Sequence, residues 1–595
     1  MPTELTNWVC AAKLEDVRSS GCLSASVAGQ TIALFAYGDE IYAVDNRCPH
    51  MGFPLERGTL KDGILTCHWH HARFDLASGG TFDQWADDVR AFPVEVRGGE
   101  VWLDLTPRAN PRAHHQQRLE DGLERNISLV IAKAAIAMVD AGEDPAEPFR
   151  IGLEFGTRYR QSGWGQGLTM LTCFMNLLPH LDAADRPRAL YHGLAAVARE
   201  SSGMAPRFGV RPLPTTTTDL ETLKRWFRQF VEVRDAEGAE RCIVSAVRAG
   251  ATSQQITDML FTAATDHRFI QIGHVADFTN KALEALDLAG WDTGRAEQVL
   301  TSLASGYANA DRMEESNTWR NPVDIIAILE GAFEALPAAL EAGRKRQGSW
   351  SGKDALLAVL MGEDPQAIAA ALLDALREGC GEVELAGLVA YAAALRIARF
   401  HTSNEFGDWD TALHTFSFAN AIHQGLRRSP APFGADQYPP ILRGVFDAAM
   451  SIYLDRFLNV PPARLPDPAN LSAQAEAGLG ELPDLLDRQQ QVDEAGLRVG
   501  EYLYGGGEAG PLLAVLGKLL LREDRDFHTI QTVEAAFAQF ALLSRHNGEE
   551  DPAAAVNVLA AAARYLAAHA PSMRAQGQTY QIAYRLSRGE RLFEG

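Results

Sequence analysis

The chain has 595 residues, with 55 lysines and arginines against 77 aspartates and glutamates, which gives a formal net charge of −22. At roughly 150 residues per domain, this length accommodates about four domain-sized units. We expect no nucleic-acid partner, because a duplex-binding protein usually shows a basic face and the charge balance here is acidic. We find no apolar run near the roughly 18 residues of a membrane span and no secretory signal, so we expect no membrane association. Seven sparse cysteines make no disulfide framework and favour a reducing, cytoplasmic location.

Residues 1–105 show the pattern of a small all-β domain. Short apolar runs are bounded by Gly and Asp, as strands are in antiparallel sheets. The pair Gly98-Gly99 separates two of these runs and is typical of a two-residue hairpin turn. The predicted strands are at 31–37, 40–44, 93–97 and 100–105.

The character of the chain changes at residues 106–118, where prolines accompany few apolar side chains, and we interpret this stretch as a linker. Over residues 119–595 the periodicity is helical. One helix, for example, is predicted to begin at Asp364-Pro365 and to end before Gly379. We therefore predict a multidomain protein, in which a small all-β domain precedes a large all-α domain that we expect to be catalytic.

Internal similarity indicates that the helical region contains repeated helical units. The pattern His-x-x-x-Phe-x-Asn begins at His274 and again at His414. Alanine-rich helices also produce such matches by chance, so both interpretations stay open.

The most specific motif is C-x-H followed by C-x-x-H, formed by Cys48 and His50 and, after 16 residues, by Cys67 and His70. Two cysteines and two histidines also suit a zinc ion, although the spacing differs from the usual zinc-finger pattern. The motif and its flanking strands resemble those of Rieske [2Fe–2S] domains, and the resemblance covers residues 1–105. It implies that the two cysteines bind one iron of the cluster and the two histidines the other.

The same resemblance implies the redox properties of the cluster. Histidine ligands carry less negative charge than thiolates, and Rieske potentials span roughly −150 to +300 mV. High-potential respiratory members carry a further cysteine in each loop, where this chain has Phe53 and Trp69, so the resemblance is to the ferredoxin-like branch. His71 stands where the family usually has glycine. We expect an external NAD(P)H-dependent reductase or a ferredoxin as the electron donor, because the chain shows no flavin or nicotinamide domain.

Histidines in the helical region offer ligands for a second metal ion. His267, Gln271 and His274 are spaced as on one face of a helix. A helical histidine is more often a half-buried hydrogen-bonding group than a ligand, and that interpretation stays open. The candidate ligands are His267, His274, His401, His414 and His528.

Three segments of the helical region resemble the questin oxidase-like helical proteins, across about residues 130–590. They are Asp266–Phe278, Gly407–His414 and Pro511–His528. The resemblance implies a mononuclear non-haem iron held largely by histidines, and the oxidation of polycyclic aromatic quinones. The sequence departs from the family's pattern in three places. Gly163–Gly167 holds no histidine, Gln271 replaces a histidine, and no lysine closely follows His528.

Two functions are compatible with these features. In the first, the protein is an oxidoreductase, specifically an oxygenase. Electrons pass from the [2Fe–2S] cluster to a His-ligated iron in the helical domain, where O2 oxidises an apolar or aromatic small-molecule substrate. The alternative is an electron-transfer Rieske protein whose helical part is a metal-free docking scaffold. The sequence lacks the Asp/Asn-x-x-His-x-x-x-x-His signature of ring-hydroxylating α subunits, so we do not expect an oxygenase of that type.

Overall fold

The structure, a computed structural model, describes residues 7–106, 111–214, 219–431, 436–470, 475–544, 552–590 and 592. The chain forms two compact units. The first unit comprises Met1–Ile151 with the C-terminal segment Ala575–Gly595, and the second unit comprises Gly152–Arg574. The predicted fold class, a small β domain followed by a large helical region, is confirmed. The units do not coincide with the predicted domains 1–105 and 119–595, and those boundaries stay predictions.

Three antiparallel sheets are present in the described part of the first unit. The strands, in chain order, are β1 (Trp8–Lys13), β2 (Cys22–Val27), β3 (Gln30–Tyr37), β4 (Glu40–Asp45), β5 (Thr59–Lys61), β6 (Ile64–Thr66), β7 (Arg73–Asp75), β8 (Ala91–Phe92), β9 (Val94–Arg97) and β10 (Glu100–Asp104). Their orders are β1-β10-β9, β2-β3-β4-β8 and β5-β6-β7. The predicted hairpin is confirmed between β9 and β10, where Gly98 and Gly99 have φ of 57° and 85°.

Strand β3 buries side chains on both of its faces. Ile32 and Leu34 pack into one apolar cluster of the first unit. Ala33 and Phe35 point to the opposite face and pack into a second cluster, which also contains Cys48. A strand buried on both faces has a continuous apolar run instead of an alternating pattern, which explains the uninterrupted apolar residues of β3.

Helices occupy most of the chain after β10. The described α-helices are α1 (Leu14–Ser20), α2 (Pro111–Glu124), α3 (Ser128–Asp140), α4 (Ala146–Tyr159), α5 (Gln166–Leu177), α6 (Arg186–Ser201), α7 (Leu220–Glu232), α8 (Ala236–Arg248), α9 (Ser253–Ala264), α10 (His274–Ala289), α11 (Thr293–Thr301), α12 (Ala304–Asn309), α13 (Ile325–Arg344), α14 (Lys353–Leu360), α15 (Pro365–Arg377), α16 (Glu382–Ala398), α17 (Asp408–Arg428), α18 (Leu442–Leu454), α19 (Ala475–Asp487), α20 (Val492–Tyr504), α21 (Ala509–Leu521), α22 (Phe527–Leu543), α23 (Pro552–Ala568) and α24 (Ala575–Ser587). The predicted start of α15 is confirmed, because the Asp364 side chain accepts hydrogen bonds from the backbone of Gln366 and Ala367. No described helix is long and apolar enough to cross a membrane.

The stretch predicted as a linker, 106–118, is helical from Pro111 onward. Proline fits the first turn of a helix, where its missing N–H would have no intrahelical acceptor, so a proline-rich stretch need not be a loop. Residues 107–110 of the predicted linker lie outside the described residues. Within the first unit, α2 packs on α3 and α3 packs on α24.

Four helices of the second unit form the interior in which the candidate site lies. Helix α10 packs on α5 and α17, and α22 also packs on α5 and α17. Each contributes a side chain that is at most 1% exposed, namely Phe174, Leu283, Phe416 and Val533. Burial of such apolar surface is the main force that holds these helices together. Polar side chains on the same helices are therefore buried with them and need partners.

Asp455, directly after α18, is a buried carboxylate that interacts with α17. The hydroxyl of Thr415 donates a hydrogen bond to Asp455 Oδ2 over 2.6 Å. Burial raises the pKa of Asp455 to about 7, so between the unfolded pKa and pH 7 the folded protein holds a proton that the unfolded chain has released. The stability of the folded protein must then fall as pH rises through this window.

We expect the wild type to lose roughly 1 kcal/mol of unfolding free energy between pH 6 and pH 8, relative to Asp455→Asn. The asparagine keeps a hydrogen-bonding side chain of the same shape but has no proton to lose. Chemical denaturation, followed by circular dichroism at both pH values, measures the difference. Parallel pH dependences of the two proteins would contradict this assignment.

Candidate functional site

Two loops of the first unit carry the four predicted cluster ligands. The first loop follows β4 and holds Cys48 and His50, and the second follows β6 and holds Cys67 and His70. The ring centroids of the two histidines are 4.8 Å apart. Both cysteines are buried, and their sulfur atoms interact with each other. The structure therefore brings all four predicted ligands to one place.

The two loops close in the same way. The N–H of Gly52 donates to the Cys48 carbonyl over 2.7 Å, and the N–H of His71 donates to the Cys67 carbonyl over 3.0 Å. Gly52 and His71 hold equivalent positions and have φ of 81° and 64°. The left-handed region favours glycine, because a Cβ is strained there. This explains why glycine is usual at position 71, and it means that His71 adopts a strained backbone conformation.

The donor atoms of this site suit a [2Fe–2S] cluster. The Cys48 thiol donates to Cys67, which raises the pKa of Cys48 and lowers the pKa of Cys67. The backbone N–H of His50 faces the Cys48 sulfur, and the N–H groups of Trp69 and His70 face the Cys67 sulfur. Such hydrogen bonds stabilise thiolates and cluster sulfurs. Burial lowers the pKa of His50 to about 4, so its imidazole is neutral, the form that binds a metal.

A lysine from helix α3 contacts the first ligand loop. Lys133 Nζ donates hydrogen bonds to the carbonyl oxygens of Pro49 and His50, the latter over 3.0 Å. It also pairs with Asp87 at 3.4 Å, and Asp87 pairs in turn with Arg118. A half-buried positive charge next to the ligand loop favours the reduced cluster, which carries one more negative charge than the oxidised cluster.

We therefore expect Lys133→Met to lower the reduction potential of the cluster by tens of millivolts, where about 60 mV corresponds to a tenfold change in a one-electron equilibrium. Lys133→Arg keeps the charge and should leave the potential closer to that of the wild type. Protein-film voltammetry of the two variants measures the effect. A potential that is equal in Lys133→Met and the wild type would show that the lysine does not act on the cluster electrostatically.

In the second unit, three of the five predicted metal ligands form a cluster. His274 is the first residue of α10, His414 lies on α17, and His528 is the second residue of α22. One ring nitrogen of each lies within 4.8 Å of the others. The Nε2 atoms of His414 and His528 are 3.1 Å apart. We call these three side chains the histidine triad.

Local backbone features place two of these histidines at helix starts. Gly273 has φ of 95°, and a Cβ there would lie 2.9 Å from the Cβ of Phe418, so only glycine fits between α10 and α17. The Asp526 carboxylate caps α22 by accepting a hydrogen bond from the Thr529 N–H over 2.9 Å. His274 and His528 therefore lie at the starts of their helices, close to His414 of α17.

The triad lies among aromatic rings and has two carboxylates beyond it. The rings of Phe278 and Phe527 are centred 5.3 and 5.5 Å from that of His274. Asp277 Oδ2 is 3.6 Å from His274 Nδ1, and Asp410 Oδ2 is 4.0 Å from His528 Nδ1. Carboxylates in this position orient metal-binding imidazoles and make them stronger ligands.

The electrostatics of the triad favour neutral imidazoles. Burial, together with the neighbouring His274 and His528, lowers the pKa of His414 to about 3. Burial also lowers the pKa of His528. Three imidazoles that converge in a half-buried space can act together as ligands of a single transition-metal ion.

The structure does not bring the other two predicted ligands into the triad. His267 Nδ1 is 2.7 Å from Glu314 Oε1, and His401 Nδ1 is 2.6 Å from Ser403 Oγ. The helix predicted across His267 and His274 is wrong. Residues Phe269, Gln271 and Ile272 have positive φ, so the chain turns before α10 begins and the helical spacing does not apply.

Sequence reasoning missed the two carboxylates next to the triad. Asp277 lies three residues after His274, a spacing that places both on one face of a helix, and this signal could have identified it. Asp410 is recognisable only from tertiary structure, because its partner His528 is on another helix. Tyr565 donates a hydrogen bond to Asp410 Oδ1 over 3.0 Å and holds it in place.

Comparisons with known proteins concern the first of these two sites. Residues 7–93 match the family model of the Rieske [2Fe–2S] domain. The ferredoxin component of the naphthalene 1,2-dioxygenase/salicylate 5-hydroxylase systems of Ralstonia sp. is 32% identical over 100 residues, which cover 17% of this chain and 96% of that protein. The 3-phenylpropionate/cinnamic acid dioxygenase ferredoxin subunit of Escherichia coli is 35% identical over 107 residues, 18% of this chain and 99% of the relative.

A solved structure gives a similar match. The ferredoxin of carbazole 1,9a-dioxygenase from Nocardioides aromaticivorans is 26% identical, covers 17% of this chain and 98% of its own, and has a TM-score of 0.16. The matched family, the identity to the relatives and their nearly complete coverage all concern the N-terminal domain, and they support a [2Fe–2S] cluster there. Through that domain, the chain belongs to the Rieske [2Fe–2S] family.

Proposed function

We propose that the protein is an oxygenase in which the Rieske domain supplies electrons to an iron bound by His274, His414 and His528. The observation that carries this proposal is the convergence of three half-buried histidines in a chain that also has a Rieske domain. Three imidazoles suit zinc, copper or iron, and a fused electron-transfer domain favours a redox-active metal. The resemblance of this region to the questin oxidase-like proteins stays a prediction.

The chain's own residues would prepare this site for a metal. Asp277 and Asp410 lie 3.6 and 4.0 Å from Nδ1 of His274 and His528, and a small movement of either carboxylate would let it accept the Nδ1–H and fix the tautomer. Phe278 and Phe527 would shield part of the triad from water. A bound iron would supply the centre at which O2 is reduced with electrons from the Rieske cluster.

A cleft of about 790 Å³ in the second unit is the proposed substrate site. Its lining includes Thr529, which follows His528 in the chain, and Trp409, which precedes Asp410. Phe406 and His569 add aromatic surface, with ring centroids 4.7 Å apart. The volume suits a small molecule, and the lining, which is mostly polar but carries these aromatic rings, suits an aromatic molecule with polar substituents.

The proposed electron donor is an external NAD(P)H-dependent reductase or a ferredoxin. The relatives named above are ferredoxin components or subunits of dioxygenase systems, which supports this class of partner. Here the ferredoxin-like domain and the proposed oxygenase site are parts of one chain. The alternative, an electron-transfer protein with a metal-free helical scaffold, needs no second metal.

Reoxidation of the cluster by O2 tests the proposal. Anaerobically reduced protein, loaded at the triad with either iron or zinc, is mixed with oxygenated buffer while the cluster absorbance is recorded. We expect fast reoxidation of the iron-loaded protein and slow reoxidation of the zinc-loaded protein, because zinc fills the site without redox chemistry. Equal rates for the two metals would favour the electron-transfer scaffold.

A further inference from the structure

A line of buried polar side chains leads away from the histidine triad along two neighbouring helices. Residues at spacings of three, seven and ten after His274 share one face of α10, and residues three and six after His528 share one face of α22. Helix α5 packs against both and adds further polar groups. The residues of this line are Asp277, Lys281 and Glu284 on α10, Gln531 and Glu534 on α22, and Cys173 and Asn176 on α5.

The inner end of the line touches the triad. Asp277 is 2% exposed and Gln531 is 1% exposed. The side-chain amide of Gln531 donates a hydrogen bond to Asp277 Oδ2, and the same oxygen is 3.6 Å from His274 Nδ1. Gln531 Oε1 is buried and has no hydrogen-bond partner among the described residues. It therefore has acceptor capacity left inside the line.

The middle of the line is a buried group of charges. Lys281 Nζ donates hydrogen bonds to Glu534 Oε2 and, over 2.8 Å, to Glu284 Oε2. Asn176 Nδ2 donates to the same two carboxylates over 2.7 and 2.8 Å. Cys173 Sγ lies 4.0 Å from Glu534 Oε2. Two carboxylates and one ammonium group are thus held together, and Lys281 and Glu534 are only 2% and 3% exposed.

The outer end of the line reaches the surface of the second unit. Glu284 and Glu534 line a cleft of about 310 Å³, together with Asn176, Asp287 and Arg428. The Glu284 side chain keeps 15% of its surface exposed, so it can exchange protons with solvent. The line thus has one end at water and the other at the triad.

Stability alone does not account for this arrangement. A buried ion group is costly to desolvate and is often no more stabilising than apolar residues of the same volume. The group also carries one more negative than positive charge when both glutamates are ionised, because Lys281 neutralises only one of them. Burial raises the pKa of Glu534, which favours a form that can hold and release a proton.

We propose that this line is the proton route between solvent and the histidine triad, with Glu284 and Glu534 as the exchanging groups, Lys281 as the fixed positive charge between them, and Gln531 and Asp277 as the contacts at the inner end. The proposal rests on the proposed function. Reduction of O2 by two electrons takes up two protons, whether it yields hydrogen peroxide or an oxygenated product plus water. The electrons come from the external donor through the Rieske cluster, and the line delivers protons to the His274 side of the triad, whereas His528 lies next to the more exposed Asp410.

Glu534→Gln tests the route, because the amide keeps the shape and the acceptor oxygen for Lys281 but cannot act as an acid. Lys281 retains Glu284 as its counter-charge, so the variant is expected to fold. Glu534→Asp restores the acid. Asp258→Asn is the matched control, since Asp258 forms a comparable buried pair with Lys224 outside the line.

The first measurement is the O2-dependent reoxidation of reduced, iron-loaded full-length protein in H2O and D2O. We expect Glu534→Gln to slow it by at least about 100-fold, the lower end of what a positioned acid contributes, and to enlarge the solvent isotope effect. Glu534→Asp should recover part of the rate, and Asp258→Asn should match the wild type. A rate for Glu534→Gln equal to that of the control would overturn the route.

The second measurement does not depend on turnover. Infrared difference spectra between metal-free and zinc-loaded protein should show a change in a carboxylic-acid band, because the added positive charge lowers the proton affinity of the line. The band should be missing in Glu534→Gln and present in Asp258→Asn. An identical difference spectrum in Glu534→Gln would overturn the assignment of the exchanging group.

Metal analysis distinguishes failure of the proposed function from failure of the proton route. If the wild type binds no second metal, the proposed function fails and the route fails with it. If Glu534→Gln binds iron as the wild type does and reacts with O2 at the same rate, only the route fails.

Discussion

Replacing His414 with alanine is expected to remove the second metal ion and to leave the [2Fe–2S] cluster in place. The ring of His414 is centred 4.8 Å from each of the other two rings of the triad, and its Nε2 atom is 3.1 Å from that of His528. Its loss removes one of the three imidazoles that would bind the iron directly. Removal of an outer hydrogen-bond partner alone typically lowers metal affinity by roughly 10- to 100-fold, so the loss of a direct ligand should lower it further. Iron analysis and the electron paramagnetic resonance (EPR) signal of the cluster measure both outcomes on one sample.

His267→Ala and His401→Ala are the matched controls for this prediction. Both residues have the sequence features of candidate ligands, but the structure pairs them with Glu314 and Ser403 instead. We expect both variants to keep the second metal. Loss of metal in either control, or retention of metal in His414→Ala, would contradict the triad as the binding site.

Replacing Cys67 with alanine is expected to prevent assembly of the Rieske cluster and to abolish O2 consumption driven by an external reductase. Cys67 is 1% exposed and is held beside Cys48 by the loop after β6, so no other cysteine of the loop can replace it. The triad lies in the other compact unit and should still bind metal. The two variants, His414→Ala and Cys67→Ala, therefore remove one metal centre each and leave the other.

Cys10→Ala provides the control for the cysteine variant. Cys10 is exposed on β1 and lies outside the two ligand loops. It should keep the EPR signal and the O2 consumption of the wild type. Reductase-driven O2 consumption that survives in Cys67→Ala, without a cluster signal, would show that electrons reach the helical region by another path.

The Rieske site was predictable because its information is local. Within each ligand pair, only one or two residues separate the cysteine from the histidine. Each pair lies on a single loop that is closed by its own backbone hydrogen bond. The strand pattern was equally readable, since β3 is buried on both faces and β9 and β10 are joined by a glycine turn. The helix that begins at Pro111 was not predictable, because proline is compatible with both a loop and the start of a helix.

The histidine triad was only partly predictable because its members come from three helices that are far apart in the chain. Helical spacing predicted that His267 and His274 share one helix face. The residues with positive φ before α10 break the helix between them, so His267 does not lie beside His274. The sequence carries no signal for which residues of α10, α17 and α22 face each other. The association of α24 with the first unit was likewise unforeseen, as it depends on packing against α3.

The most direct test of the proposed oxygenase is the metal and sulfide content of anaerobically purified protein, combined with EPR before and after dithionite. We expect about three irons per chain, made up of the two of a Rieske cluster and one more at the triad. The third should give a high-spin signal with nitric oxide that is lost in His414→Ala. Two irons per chain with a Rieske signal, and no further metal even after iron is added, would contradict the oxygenase and leave the electron-transfer scaffold.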